Sequence, residues 1–261
     1  MLNKRAGIWC LAAGFVTLQY GFAATLEATY LFNNSLAAQQ AGAPALVAVD
    51  PLGVATFTTD TVLGQSRTVY SYGGTNSPPS SQGGLTLNTA SLLTTANSYS
   101  VEILFEFTQN VNAWRRILDV ANRQSDNGFY VDPSNHLDIF PVVGSSDTFT
   151  NNAYHDVVLT DNNGIDKAYL DGTLELTTAS ITVMDNVNNQ LNFFLDNLVG
   201  GGQGEWSAGK VAAIQVWDGA LNDSEVAALE PFETGGVPEP GTWATLGIGL
   251  AGVLALRFRK V

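Results

Sequence analysis

Apolar and polar residues alternate with a period of two through most of this chain. The clearest run is Tyr99 to Phe107, YSVEILFEF. In an extended chain Val101, Ile103, Phe105 and Phe107 fall on one face, and Glu102, Leu104 and Glu106 on the other. Shorter runs rich in β-branched or aromatic residues read as further strands: Leu26 to Phe32, Thr68 to Tyr72, Gly84 to Leu87, Arg116 to Val120, Phe129 to Val131, Leu137 to Phe140, Tyr154 to Thr160, Lys167 to Leu170, Leu191 to Leu195 and Val211 to Trp217. Turn-forming residues separate them, as in Asp126-Asn127-Gly128 and Asp161-Asn162-Asn163-Gly164. Asp171-Gly172, followed by Thr173 to Thr177, predicts a two-residue hairpin, because both positions tolerate positive φ. Gly73 to Pro79 reads as an exposed loop. Helical periodicity is nearly absent. One short helix is predicted at Asn222-Asp223-Ser224-Glu225, where Asn222 can cap and Glu225 can close a capping box. The pattern predicts an all-β fold, an antiparallel sandwich or barrel.

The two ends break this pattern. Lys4 and Arg5 precede a largely apolar stretch from Ala6 to Leu18, and Gly21-Phe22-Ala23 offers the small residues of a cleavage site. Residues 1–24 therefore read as a secretory signal peptide, cut after Ala23 or Ala24. At the other end, Pro238-Glu239-Pro240 leads into an apolar run from Thr242 to Leu256 and then Arg257, Arg259 and Lys260. That run is short for a membrane helix. It is either an address with temporary membrane retention or a plain single-span anchor. The basic end would stay on the cytoplasmic side, and Pro240 would keep Glu239 extended. What remains, residues 25–232, is one domain.

Charge and cysteine usage narrow the functions available. The chain of 261 residues has a formal net charge of −13. With residues 1–24 and 238–261 set aside, six basic residues face 23 acidic ones, which brings the net charge near −17. Such a surface repels nucleic acid and anionic lipid. The single cysteine, Cys10, lies in the signal segment, so residues 25–232 contain no disulfide, thiolate ligand or cysteine nucleophile. Gly200-Gly201-Gly202-Gln203-Gly204 lacks the Lys-Ser/Thr ending of a phosphate loop and reads as a turn. His136 and His155 are the only histidines, and His155 is expected to pack or hydrogen-bond within its hairpin.

The segment AYHDVVLTDNNGIDKAYLDGTLE, Ala153 to Glu175, resembles the central hairpin of laminin-G-like domains in the concanavalin A-like lectin/glucanase superfamily. Tyr154 stands where that pattern has Trp, Leu170 stands for Val, and His155, Tyr169, Asp171 and Gly172 match. The segment from Gly204 to Phe232 resembles the family's final strand and short helix, and the strands Ala28 to Phe32 and Ser98 to Phe107 keep the same order. The resemblance implies a jelly-roll sandwich of two face-to-face sheets over residues 25–232. The tail, residues 233–261, resembles the PEP-CTERM sorting signal of Gram-negative, polysaccharide-producing bacteria, with Pro238, Glu239 and Pro240 as the motif. That implies export, an exosortase as processing partner, transient inner-membrane association, and a final place in the cell envelope or extracellular matrix.

Enzymes of the wider superfamily carry Glu-Ile-Asp-x-Glu on one strand. Here Glu102-Ile103-Leu104-Phe105-Glu106 has the two glutamates and lacks the middle acid. Two strand residues four apart are roughly 13 Å apart at Cα, and a retaining glycosidase needs its carboxyls about 5 Å apart. The expectation is a non-catalytic module, with Glu102 and Glu106 facing solvent or the rim. Trp114, Tyr130 and Trp206 are candidates to stack on sugar rings, each against the alternative of core packing. The resemblance also implies calcium at a sheet rim, for which Asp126, Asn127, Asp196 and Asn197 are the candidate ligands, though Asp-Asn pairs also form turns with no ion. The expected partner is an extracellular polysaccharide or a surface protein.

Overall fold

A computed structural model describes residues 24–110, 112–143, 148–179, 186–199, 203–229 and 232. The signal segment and the sorting tail, with Pro238, Glu239 and Pro240, lie outside the described residues, Ala24 excepted.

Fifteen strands occur in chain order: β1 (Thr25–Tyr30), β2 (Val47–Val49), β3 (Thr56–Val62), β4 (Gln65–Tyr72), β5 (Gly84–Asn88), β6 (Ser98–Phe107), β7 (Arg115–Asp119), β8 (Phe129–Val131), β9 (Leu137–Ile139), β10 (Val142–Val143), β11 (His155–Asn162), β12 (Asp166–Leu170), β13 (Thr173–Thr178), β14 (Gln190–Phe193) and β15 (Gly209–Asp218). They form two antiparallel sheets. Sheet A has the order β13-β12-β11-β6-β15-β4-β3, and β1 also pairs with β15. Sheet B has the order β10-β9-β8-β7-β14-β5-β2. β15 shares one edge between two partners, β4 along Gly209 to Val211 and β1 along Ile214 to Asp218. A bulge at Ala212 separates the two halves where β15 meets β6, and a bulge bends a strand locally.

The core lies between the sheets. Tyr99, Val101, Ile103, Phe105 and Phe107 of β6 enter it beside Val157 and Leu159 of β11 and Ile214 and Val216 of β15. From sheet B come Ile117, Phe129, Val131, Leu137, Leu191 and Phe193. Val101, Ile103, Phe105 and Phe107 are the residues that the alternation placed on one face. At the β12–β13 turn Asp171 and Gly172 have φ of 49° and 82°, the left-handed pair that a two-residue hairpin requires. His155 locks this turn. Its Nδ1 lies 2.8 Å from an Asp171 carboxylate oxygen, and its Nε2 accepts the Thr150 N–H at 3.0 Å. An Nε2 that accepts leaves the ring proton on Nδ1.

The predicted helix is α1 (Asp223–Val226), and it carries the complete capping box. The Asn222 side chain accepts from the N–H groups of Ser224 and Glu225, and Glu225 accepts the Asn222 N–H at 2.8 Å. Val226 packs with Val158, Tyr169, Trp217 and Leu221 on the outer face of sheet A. A second outer cluster joins Leu104 of β6 to Val62, Val69, Ala212 and Ala213, with Leu31, Tyr154 and Phe232 against it.

This second layer overturns one expectation. Glu102 and Glu106 do not face solvent: they are 1% and 5% exposed. The strand alternates as read. Its outer face is nevertheless covered, because Leu104 between the two glutamates recruits the Phe232 cluster and α1 lies beside it.

Candidate functional site

Each outward glutamate of β6 has a charged or acidic partner. At one end Glu106 lies 3.0 Å from Lys210 Nζ, and Lys210 also contacts Asp60 at 2.5 Å. Tyr154 donates its hydroxyl to Asp60 at 3.2 Å. The ammonium is thus bracketed by two carboxylates, which raise its pKa against the opposing effect of burial. Four residues along, the Glu102 carboxyl makes a hydrogen bond with Asp156 of β11. Burial first, and then the Asp156 charge, push Glu102 well above the usual carboxylate range. Burial and the negative Asp171 push Asp156 up to about 7. Two touching carboxyls in a poorly solvated place cannot both ionise cheaply, so they share a proton.

Asp156 lines a depression of about 570 Å³ on this face. Leu104, Tyr154, Val158, Leu229 and Phe232 are among its walls. A second depression of about 450 Å³ holds Asp60, Glu106, Asn152 and Lys210, and Leu63 and Tyr154 line both. Together they make one groove across β11, β6 and β15, apolar at the α1 end and charged at the Lys210 end. The volumes suit a small organic ligand or a few sugar rings.

Sequence reasoning found Glu102 and Glu106 but missed Asp156. The signal lay in register: Asp156 sits opposite Leu104 on the adjacent strand and shares the outward face. Only strand pairing brings it there.

The stacking candidates fare differently. Tyr130 and Trp206 are each 1% exposed, which corrects their assignment to sugar stacking: a buried ring offers no face to a ligand. Trp206 donates its indole N–H to the Gly83 carbonyl at 3.0 Å. Trp114 is half-buried and stands edge-on to Tyr130 and Phe140, with centroids 5.6 and 5.9 Å away.

The four calcium candidates do come together, but around an arginine. Arg116 of β7 is wholly buried. One guanidinium nitrogen donates to Asp119 at 2.7 Å, and Nε lies 3.4 Å from Asp196. The guanidinium also donates to the Ser125 and Asp126 carbonyls and to the Tyr130 hydroxyl. The second Asp196 oxygen accepts the N–H groups of Gly204 and Glu205 at 2.7 and 2.9 Å. Asn197 turns its amide nitrogen, not its oxygen, to Asp126 at 3.1 Å. Asn127 joins the same turn through its N–H, which donates to the Ser125 hydroxyl. The guanidinium fills the place a cation would take, so this donor set does not fit a calcium ion.

Two stacked antiparallel sheets, with a groove on the outer face of one, define a lectin-like jelly roll. The chain belongs to the concanavalin A-like lectin/glucanases superfamily, whose family model matches residues 79–227. The PEP-CTERM protein-sorting motif matches residues 236–260 and marks an exported protein of a Gram-negative cell envelope or its surroundings. No curated protein matches the chain significantly. Among solved structures, domain 4 of AbnA, an extracellular arabinanase from Geobacillus stearothermophilus, in complex with arabinotriose, is similar over 78% of this chain and 97% of its own, at 17% identity and a TM-score of 0.57. A structure of botulinum neurotoxin type C, whose cell entry is described as dependent upon interaction with two ganglioside molecules, is similar over 78% of this chain and 50% of its own, at 11% identity and a TM-score of 0.51. The binding domain of botulinum neurotoxin DC in complex with SialylT is similar over 79% and 49%, at 13% identity and a TM-score of 0.51. This chain spans about half the length of the two neurotoxin chains. At these identities the likeness is one of fold.

Proposed function

We propose that residues 25–232 form a non-catalytic glycan-binding module, exported with the signal segment 1–24 and sorted to the cell envelope or matrix through the tail 233–261. The groove on the outer face of sheet A carries this reading, since it combines an apolar floor with fixed polar groups. The carbohydrate complexes described for structures of the same fold support it. Catalysis is disfavoured by spacing. Glu102 and Asp156 touch, which leaves no room for a sugar carbon between them, and Glu106 is tied to Lys210. The test is retention of the exported protein on immobilised polysaccharides together with an assay for reducing ends. Retention without turnover is expected. Tyr154→Ala, which opens the middle of the groove, should weaken retention about tenfold, of the order of 1.4 kcal/mol for one lost ring contact. Trp114→Ala, on the other sheet, should leave it unchanged. Release of reducing sugar that vanishes in Glu102→Gln would make the protein a hydrolase. Loss of retention in Trp114→Ala alone would move the site to sheet B.

The tail has its own expected result. Exosortase processing removes the chain beyond about Pro240, so intact-mass analysis of envelope material should show a protein ending there. A peptide spanning Thr242 to Leu256 recovered from the mature protein would favour a retained anchor.

A further inference from the structure

The outer face of β6 carries two acidic pairs of similar make-up, and only one has a cation among the described residues. Asp60 and Glu106 enclose the Lys210 ammonium. Glu102 and Asp156 have no such cation among the described residues. Three cationic side chains among the described residues point to this face, and each is taken. Lys210 is held as above, Lys167 pairs with Asp223, and Arg67 donates to the Phe232 carbonyl at 2.9 Å. Glu102 Oε1 and Asp156 Oδ1 have no hydrogen-bond partner among the described residues, and Glu102 is 1% exposed. A buried acceptor without a donor is costly, and the cost is relieved when a ligand supplies one.

We propose that the groove takes an amino sugar, with its ammonium group seated on the Asp156 carboxyl, which Glu102 backs from within the sheet face. The proposal rests on the glycan-binding reading and names the substrate class within it. Asp156 faces the depression and Glu102 stands behind it, so the ammonium enters from the apolar end, over Val158 and beside Leu229 and Phe232. It repeats the arrangement that Lys210 makes next door within the protein.

The neighbours of the pair leave the positive charge to the ligand. On β6 they are Ser100 and Leu104, on β15 Gln215 stands opposite Glu102, and on β11 Val158 flanks it. Asp171 at the hairpin turn adds a further negative charge beside Asp156. On α1, Asp223 is engaged by Lys167 and by the Tyr169 hydroxyl, and Glu225 is engaged in the capping box. His155 is held between Asp171 and the Thr150 N–H, so its open coordination is nil. An amine bound here replaces the shared proton of the pair, which leaves to solvent. Below about pH 7, where Asp156 is protonated, binding of the ammonium is therefore accompanied by proton release and tightens as pH rises toward that value.

The experiment is calorimetric titration of the exported protein with three probes of equal length: glucosamine oligomers, N-acetylglucosamine oligomers and neutral glucose oligomers. Two buffers of different ionisation enthalpy measure the proton released. Glucosamine oligomers should bind at least tenfold tighter than their acetylated counterparts, with proton release near pH 6. Asp156→Asn and Glu102→Gln, which keep shape and remove the charge, should each abolish that preference and the proton release. Glu27→Gln, which removes a carboxylate on β1 outside the groove, should retain both and so report the general attraction of an acidic protein for amines. Equal binding of amine and acetylated probes would overturn the amino-sugar assignment and leave the glycan reading standing. A preference that survives in Asp156→Asn would place the amine elsewhere and overturn the assignment too. Failure of all three probes and of immobilised polysaccharides would remove both readings.

Discussion

Arg116→Met lowers the stability of the domain by about 3–5 kcal/mol, the cost of leaving a buried charge uncompensated. Asp119 and Asp196 are each 0% exposed and both lie against this guanidinium. Methionine replaces the stem but supplies neither the charge nor the donors that the Ser125 and Asp126 carbonyls and the Tyr130 hydroxyl use. Arg116→Lys keeps the charge but not the planar fork and should fall between the two. Denaturant unfolding measures the loss. Part of it should be recovered at low pH, where the abandoned carboxylates can neutralise. Calcium at millimolar concentration should leave the melting temperature of the unaltered protein unchanged, because the arginine already serves as the internal cation. A variant within 1 kcal/mol of the parent, or a calcium-dependent rise in melting temperature, would contradict this account.

Asp138→Asn stabilises the protein at pH 8 by an amount of the order of 3 kcal/mol. Asp138 lies on β9 opposite Tyr130, is 0% exposed, and neither carboxylate oxygen has a hydrogen-bond partner among the described residues. Burial first, and then the charge of Asp132, push it up to about 7. The folded state therefore holds its proton more tightly than the unfolded chain does. Below about pH 4 both states are protonated and there is no penalty. As pH rises toward 7 the unfolded chain ionises first, and stability is lost until the folded carboxyl ionises as well. Burial and neighbouring acids push Asp156 up to about 7 and Glu205 up to about 8, so both act in the same direction. The protein should accordingly be more stable at pH 5 than at pH 8, and Asp138→Asn should flatten part of that slope. A melting temperature that rises between pH 5 and 8, or an asparagine variant less stable at pH 8, would count against it.

Much of the fold was legible because strand alternation is a local property. The four residues Val101, Ile103, Phe105 and Phe107 on one face of β6, the Asp171-Gly172 hairpin and the Asn222–Glu225 capping box all depend on residues a few positions apart, and each is present as read. β3 went unread for a local reason too. Its sequence TFTTDTV is threonine on both faces with one phenylalanine, so its alternation has little contrast. The short β2 and β10 offer too few residues to show a period.

The candidate site depends on contacts that have no local trace. Glu102 alone is a glutamate on a strand. It becomes half of a proton-sharing pair only because β11 sets Asp156 on the same outer face, 54 positions along the chain from it. The outer face itself became an interior because α1 and Phe232 return to it from the end of the domain. Asp126 and Asp196 illustrate the same limit. The sequence offered two acidic turns with the chemistry of a calcium site, and their oxygens do converge. What they converge on was decided by β7, which delivers Arg116 between them. The sequence by itself determined strand, turn, cap and sorting motif, since each is set by neighbouring residues and their φ, ψ and polarity. Only the tertiary structure decided which carboxylates share a proton and which share an arginine, because charge interactions follow distance in space and the dielectric around them, and neither is written in residue order.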